Sequence, residues 1–84
     1  MHIKDLLIKK IKDYYTEHSL SFKNDSFKGY FRSNEVIYAI MVDGDKYTRF
    51  MFADKDYKMS PVPLNSIREG GVIWKFQNTN KVNI

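Results

Sequence analysis

The chain has 84 residues, with 14 Lys and Arg, 10 Asp and Glu, and no cysteine. This length supports a single domain, residues 1–84, with a small core, and it excludes separate catalytic and regulatory units. The lack of cysteine excludes disulfides and thiolate metal sites, so packing of six Tyr, six Phe and one Trp has to supply much of the stability. A charged N-terminal region without the apolar segment of a signal peptide predicts a cytoplasmic protein. No apolar run reaches the roughly 20 residues of a membrane span.

The spacing of apolar residues predicts an α+β fold, in which an N-terminal amphipathic helix at about residues 3–18 packs on a bent antiparallel sheet. At about 100° per residue, Leu7, Ile11 and Tyr14 fall on one side of that helix. Alternation and turn residues predict four to five strands, at about 27–32, 35–42, 46–53, 57–62 and 72–77. Closure of these strands into a small SH3-like barrel is the alternative to an open sheet.

The centre of the predicted sheet is a hairpin that turns at Asp43-Gly44, a dipeptide typical of tight hairpin turns. Both faces of its first arm are apolar, so we expect a central strand that is covered on both sides. Pro61 limits the strand at 57–62 to an edge position, because proline cannot donate to a strand ladder. The predicted core consists of Leu7, Ile11, Tyr14, Phe31, Val36, Tyr38, Ile40, Phe50, Phe52, Val72, Trp74 and Phe76.

Four carboxylates near the hairpin do not predict a metal site. One pair precedes the second arm and the other follows it, so at about 3.3 Å per residue the pairs lie roughly 25 Å apart. We interpret these residues as turn formers: Asp43, Asp45, Asp54 and Asp56. No nucleophile, base and orienting group occur at a recognisable spacing, so we expect no catalytic activity, no metal and no cofactor. An enzyme that uses no sequence motif is the third class of function considered.

Aromatic and basic residues alternate on the predicted strands. Lys28, Tyr30 and Arg32 share one face of a strand, and we place Tyr47 and Arg49 on a neighbouring strand. Exposed aromatics beside cations stack bases and neutralise phosphates in single-strand binders. These five residues are therefore the predicted nucleic-acid-binding site. The alternative interpretation is that they form an ordinary solvated strand face.

Two short segments resemble elements of the Sm-like RNA-binding family: Val42-Asp43-Gly44-Asp45, and Ile67-Arg68-Glu69-Gly70-Gly71-Val72 before the last predicted strand. Members of that family have an N-terminal helix, a small barrel and an Arg-Gly element near the end. This chain departs from the pattern where Glu69 interrupts Arg-Gly, where Arg49 replaces an expected bending glycine, and at the additional residues 19–34. No residue roles follow from the resemblance.

Two hypotheses of function follow. The first is a small non-catalytic binding module associated with single-stranded or structured nucleic acid, or with a nucleoprotein complex, in line with the net charge of +4. The second is a protein-interaction module, a small accessory subunit or inhibitor that docks on a larger protein. Both exclude a membrane partner, and both leave the oligomeric state open.

Overall fold

A computed structural model describes residues 2–43 and 47–79, apart from the side chains of Tyr47, Asn78 and Thr79. Its elements follow the chain in the order α1 (Ile3–Glu17), a 3₁₀ turn (Asn24–Ser26), β1 (Phe27–Ser33), β2 (Val36–Asp43), β3 (Tyr47–Ala53), β4 (Met59–Pro61), α2 (Leu64–Ile67) and α3 (Val72–Thr79). The strands form one open antiparallel sheet in the order β1-β2-β3-β4. The predicted α+β fold, with its N-terminal helix and bent antiparallel sheet, is confirmed. Within the described residues the sheet is not closed into a barrel.

One face of the sheet is covered by α1. Leu7, Ile11 and Tyr15 of this helix are almost completely buried. They pack against side chains that strand register places on the same face: Ile37, Ala39, Met41, Met51, Ala53 and Met59. Two alanines and three flexible methionines leave room for the large helix side chains, which is why α1 packs on this face.

The opposite face carries bulkier side chains and is covered by α3. Phe31 of β1 stacks on Tyr38 of β2, with ring centroids 5.1 Å apart. Phe31 also stacks on Phe76 of α3, with centroids 4.0 Å apart and ring planes inclined by 5°. Ile73 of α3 is fully buried. The central strand β2 is therefore covered on both faces, as its two apolar faces predict.

The predicted core takes the wrong face of the strands. Its strand residues lie on the face opposite α1 and, except for Phe31, are only half-buried: Phe31, Val36, Tyr38, Ile40, Phe50 and Phe52. On the helix, Tyr15 takes the buried position predicted for Tyr14, which is half-buried. The rotation arises because Leu7, Ile11 and Tyr15 recur at intervals of four and form one continuous row.

The predicted strand at 72–77 is instead the helix α3. The apolar residues at 72–77 fit both the period of a strand and the period of a helix. Val72, Trp74 and Phe76 alternate as in a strand, whereas Ile73 and Phe76 lie three apart and share one side of a helix. The helical period is realised, so Ile73 is buried and Trp74 is 39% exposed. None of the helices within the described residues is long and apolar enough to cross a membrane.

Short connections fix the order of the strands. β1 and β2 are joined by Asn34 and Glu35, which both have positive φ angles, +50° and +67°. This is the backbone of a type I′ turn. At the next hairpin Asp43 pairs with Tyr47, so Asp43 ends β2 and does not occupy the turn. The predicted turn residue Gly44 lies outside the described residues.

The predicted strand at 57–62 is shortened to β4 because a turn consumes its first two residues. The Asp54 carboxylate accepts hydrogen bonds from the backbone N–H groups of Asp56 and Lys58, at 2.8 and 2.9 Å. Tyr57 lies within this turn with a φ of +62°. Within the part of the chain that the structure describes, β4 pairs only with β3, and it ends at Pro61. The predicted edge position of this segment is confirmed.

Two glycines return the chain from α2 to α3. Gly70 has a φ of +84°, and a Cβ built there would meet no other atom within 4 Å. At Gly71 a Cβ would collide with the carbonyl oxygens of Asn65 and Ser66. The backbone N–H of Gly71 donates to the carbonyl oxygen of Arg68 at 2.8 Å. The close packing of α2 against the start of α3 therefore depends on the missing side chain of Gly71.

The β1–β2 turn offers a test of the described backbone. A non-glycine residue in the left-handed region costs about 1–2 kcal/mol, and Glu35 is exposed. We expect Glu35→Gly to raise the free energy of unfolding by roughly 0.5–1 kcal/mol in urea titrations, after the extra chain entropy of glycine is deducted. Glu35→Ala keeps a Cβ and is the matched control, for which no comparable gain is expected. Equal effects of the two substitutions would contradict the turn geometry.

The α2–α3 junction gives a second test. Gly71→Ala should lower the free energy of unfolding by about 1–3 kcal/mol, because the added methyl group forces α2 and α3 apart. It should also shift the fluorescence of Trp74, the one Trp of the chain, towards that of an exposed indole. Gly70→Asn is the control, since asparagine tolerates positive φ and the position is open. Greater damage from the Gly70 substitution than from the Gly71 substitution would rule out this packing.

Candidate functional site

The five predicted nucleic-acid-binding residues do not form one open platform. The strands that carry them, β1 and β3, are separated by β2. A bulge between Phe27 and Gly29 breaks the predicted alternation at Lys28, which is exposed. Tyr30 packs against the cluster beneath α1. The predicted shared polar face is therefore wrong in its geometry, because α1 covers the sheet face on which Tyr30 lies.

Arg32 and Arg49 lie at opposite ends of the sheet. Arg32 is exposed and lies opposite Ile37 of β2, which in turn lies opposite Ala53 of β3. Arg49 lies opposite Met41, near the other end of β2. The fifth predicted residue, Tyr47, has described backbone only. A role for these residues in nucleic-acid binding stays a prediction, and the described geometry gathers only part of the set, Lys28 and Arg49, near one end of the sheet.

Arg49 instead takes part in a polar network that joins α1 to the β2–β3 hairpin. The Tyr15 hydroxyl donates to Oδ1 of Asp43 at 2.7 Å, and Arg49 Nε donates to Oδ2 of the same carboxylate at 3.0 Å. The Arg49 guanidinium carbon lies 5.6 Å from the centre of the Tyr15 ring. About a quarter of the Asp43 side chain and a fifth of the Arg49 side chain are exposed, at 26% and 20%. The ion pair is thus only partly screened by solvent.

Sequence reasoning assigned Asp43 to a turn and therefore missed it. One signal was available, since Asp43 and Arg49 flank the same hairpin and antiparallel pairing brings such positions together. The contact from Tyr15 had no signal of its own, because it depends on how α1 is rotated.

The network also determines the protonation of Tyr15. Burial raises the pKa of the Tyr15 phenol well above its ordinary value, and the adjacent Asp43 carboxylate raises this pKa further. Arg49 partly offsets the shift in pKa. The phenol consequently keeps its proton and remains a hydrogen-bond donor to Asp43.

A cleft of about 470 Å³ opens beside this network. It lies between the C-terminal end of α1, the segment that follows α1, and the hairpin. Its lining consists of Tyr15, Leu20, Ser21, Lys23, Ser26, Asp43 and Arg49. Behind it, Phe22 meets the Tyr15 ring edge to face at 5.7 Å and lies beneath Lys12, whose Nζ is 5.3 Å from the Phe22 ring centre. The cleft thus combines cations and hydroxyls with a lining surface that is more apolar than polar.

A second candidate lies on the helices at the other side of the sheet. We name as the apolar surface the three large side chains Leu64, Ile67 and Trp74, which are 71%, 45% and 39% exposed. The first two belong to α2, and the third belongs to α3, which packs against α2. Exposed charged residues accompany them, namely Arg68, Glu69 and Lys75. Large exposed hydrophobic side chains on two adjoining helices are a feature of interaction sites.

Within residues 2–43 and 47–79, no group of three or more His, Cys, Asp or Glu side chains is arranged to hold a metal ion. The described carboxylates near the hairpin are separated by β3, since Asp43 precedes this strand and Asp54 follows it.

The Tyr15–Asp43 hydrogen bond predicts a specific pH dependence. Tyr15→Phe should cost about 1–2 kcal/mol of unfolding free energy near pH 8. Above about pH 10 the unfolded chain releases the phenol proton, whereas the folded chain retains it because the folded pKa is raised. The free energy of unfolding of the native protein therefore falls in this range, whereas that of the Tyr15→Phe variant has no such contribution. The difference between these two free energies should shrink as the pH rises from about 10. Urea titrations across this range measure the difference, and a constant value would contradict the network.

Comparison of this chain with protein-family models, with curated proteins and with solved structures finds no match. The resemblance of two segments to the Sm-like family is therefore not supported by a family match, and the segment at 72–77 is a helix where that resemblance implies a strand.

Proposed function

We propose that this chain is a non-catalytic protein-interaction module of the cytoplasm, an accessory subunit or inhibitor that docks on a larger protein through the apolar surface. The observation that carries the proposal is the exposure of Leu64, Ile67 and Trp74 on two adjoining helices. Each of these side chains leaves apolar area in water that a partner would remove, at roughly 25 cal/mol per Å². Large hydrophobic side chains grouped on a small domain are more typical of an interface than of an inert surface.

The packing of α3 on the sheet supports this proposal. Fully buried Ile73, together with the stacking of Phe76 on Phe31 at 4.0 Å, fixes this helix on the sheet. Trp74 therefore projects from a fixed element, so little conformational entropy is lost when a partner contacts it. Tryptophan at the centre of a well-packed interface commonly supplies a large share of the binding energy.

Charges beside the apolar surface indicate the chemistry of the partner. Arg68 and Lys75 are exposed on the same segment, against one exposed carboxylate, Glu69. A complementary partner would present an apolar pocket with acidic residues at its rim. Such a rim would raise the rate of association at low salt, while the apolar contacts would determine the rate of dissociation.

Association with nucleic acid is the competing proposal. It is supported by the net charge of +4 and by the exposure of Lys28 and Arg32. Its predicted stacking residue Tyr30 is packed against the α1 cluster, however, so base stacking on Tyr30 would require the core to open. The two proposals therefore place the binding residues on different parts of the molecule and can be separated by substitution.

Leu64→Ser tests the docking proposal with little risk to the fold, since the side chain is 71% exposed. A partner is captured from the cells of origin with the native chain, and its affinity for the purified variants is then measured. We expect Leu64→Ser to weaken binding by about tenfold or more, because it removes apolar area from the interface. The fluorescence of Trp74 should change when the partner binds.

The matched control is Leu20→Ser, which removes an exposed leucine at the other side of the sheet and should leave the affinity unchanged. Equal weakening by both substitutions would overturn the proposal. It would also be overturned if no partner is recovered while labelled DNA or RNA binds in a salt-dependent manner that Lys28→Gln and Arg32→Gln abolish.

A further inference from the structure

We propose that the cleft beside the Tyr15–Asp43–Arg49 network binds the phosphate of a nucleotide, either free or at the end of a single strand. This site is distinct from the apolar surface. The cleft opens on the α1 side of the sheet, whereas α3 stacks through Phe76 on the opposite side. Occupation of one site therefore does not require occupation of the other.

The charge of the lining favours an anion. Among the described lining residues, Lys23 and Arg49 supply two positive charges and Asp43 supplies one carboxylate. Both oxygens of Asp43 already accept a hydrogen bond, one from Tyr15 and one from Arg49. The Asp43 charge is consequently balanced by Arg49, and Lys23 leaves the described part of the lining with a net positive charge.

Arg49 and the turn that carries Ser26 are held in place before a ligand arrives. Arg49 is oriented by its ion pair with Asp43 and lies over the ring of Tyr15, so the guanidinium loses little freedom on binding. Ser26 is buried, with 6% exposure, in the 3₁₀ turn that forms one wall, and the turn is closed by a 3.0 Å hydrogen bond from Ser26 N–H to the Lys23 carbonyl oxygen. Ser21 adds a second hydroxyl to the lining. Hydroxyls and cations together form the usual donor set for phosphate oxygens.

The size of the cleft distinguishes a nucleotide from a bare anion. A volume of about 470 Å³ lies within the range of roughly 300–1,000 Å³ that is typical of small-molecule sites, and it greatly exceeds the volume of a phosphate ion. Leu20, which is 37% exposed, lines the cleft and offers an apolar contact to a sugar or a base. A nucleotide would therefore contact Lys23 and Arg49 with its phosphate and Leu20 with its sugar or base.

The test is a titration of the isotope-labelled full chain, followed by NMR at low salt, with three probes. These are inorganic phosphate, adenosine monophosphate and a 5′-phosphorylated thymidine tetranucleotide. We expect saturable shifts of the amide signals of Lys23, Ser26 and Arg49 with adenosine monophosphate, and weaker binding of inorganic phosphate. The fluorescence of Trp74 should stay constant, because the ligand does not reach α3.

Substitution of one lysine at a time makes the test specific. Lys23→Gln should weaken binding of adenosine monophosphate roughly tenfold, the effect of one lost charge-assisted hydrogen bond. Lys75→Gln removes the same charge from exposed α3 and should leave the affinity unchanged. Tighter binding of the tetranucleotide than of the mononucleotide would identify a strand end as the source of the phosphate, and equal binding would identify a free nucleotide.

Three results would overturn the proposal. The first is the absence of saturable shifts with any of the three probes. The second is equal weakening by Lys23→Gln and Lys75→Gln, which would mean that the net charge alone attracts the ligand. The third is binding of inorganic phosphate as tightly as adenosine monophosphate, since the organic group would then make no contact in the cleft.

Discussion

The fold depends on a central strand, β2, that is apolar on both faces. Such a strand is stable only when each face is covered, and the two faces require different covers. The face built around Ala39 and Met41 accepts the large side chains of α1, whereas the face that carries Tyr38 receives aromatic stacking from α3 through Phe31. The sheet is thereby held between helices from the two ends of the described chain.

Both candidate surfaces lie beside the ends of the helices that cover the sheet. α3 is two turns long and α2 a single turn, so the helices on that side of the sheet leave Leu64, Ile67 and Trp74 partly in water. On the other side, near the C-terminal end of α1, the Tyr15 hydroxyl joins this helix to Asp43 at the end of β2, and Arg49 pairs with the same carboxylate. A small domain with incomplete covers therefore retains surface that can be used for recognition, at some cost in buried area.

The sequence pattern predicts where most helices and strands of this chain lie better than it predicts which of their faces are buried. α1, the two long hairpin strands and the edge position of Pro61 follow from periodicity and turn chemistry, because each depends on neighbouring residues. Residues 72–77 were assigned to a strand because five or six residues do not separate a period of two from one of 3.6. Without α3, α1 is the one predicted cover for two apolar strand faces, so the pattern does not select the face of β2 that this helix meets. The role of Asp43 likewise depends on the rotation of a distant helix, which no local pattern encodes.

The strand order has a consequence for how the chain folds. Each strand pairs with the strand that precedes it, so the sheet can assemble hairpin by hairpin, with only short loops to close. The contact of α1 with β4 is different, because it joins a helix at the start of the chain to the last strand and closes a loop that contains the rest of the sheet. Helix docking on Met59 is therefore, together with the stacking of Phe76 on Phe31, among the steps with the largest loop-closure entropy. Substitutions in the turn between β1 and β2 should act earlier in folding than substitutions beneath α1, which should chiefly alter the rate of unfolding.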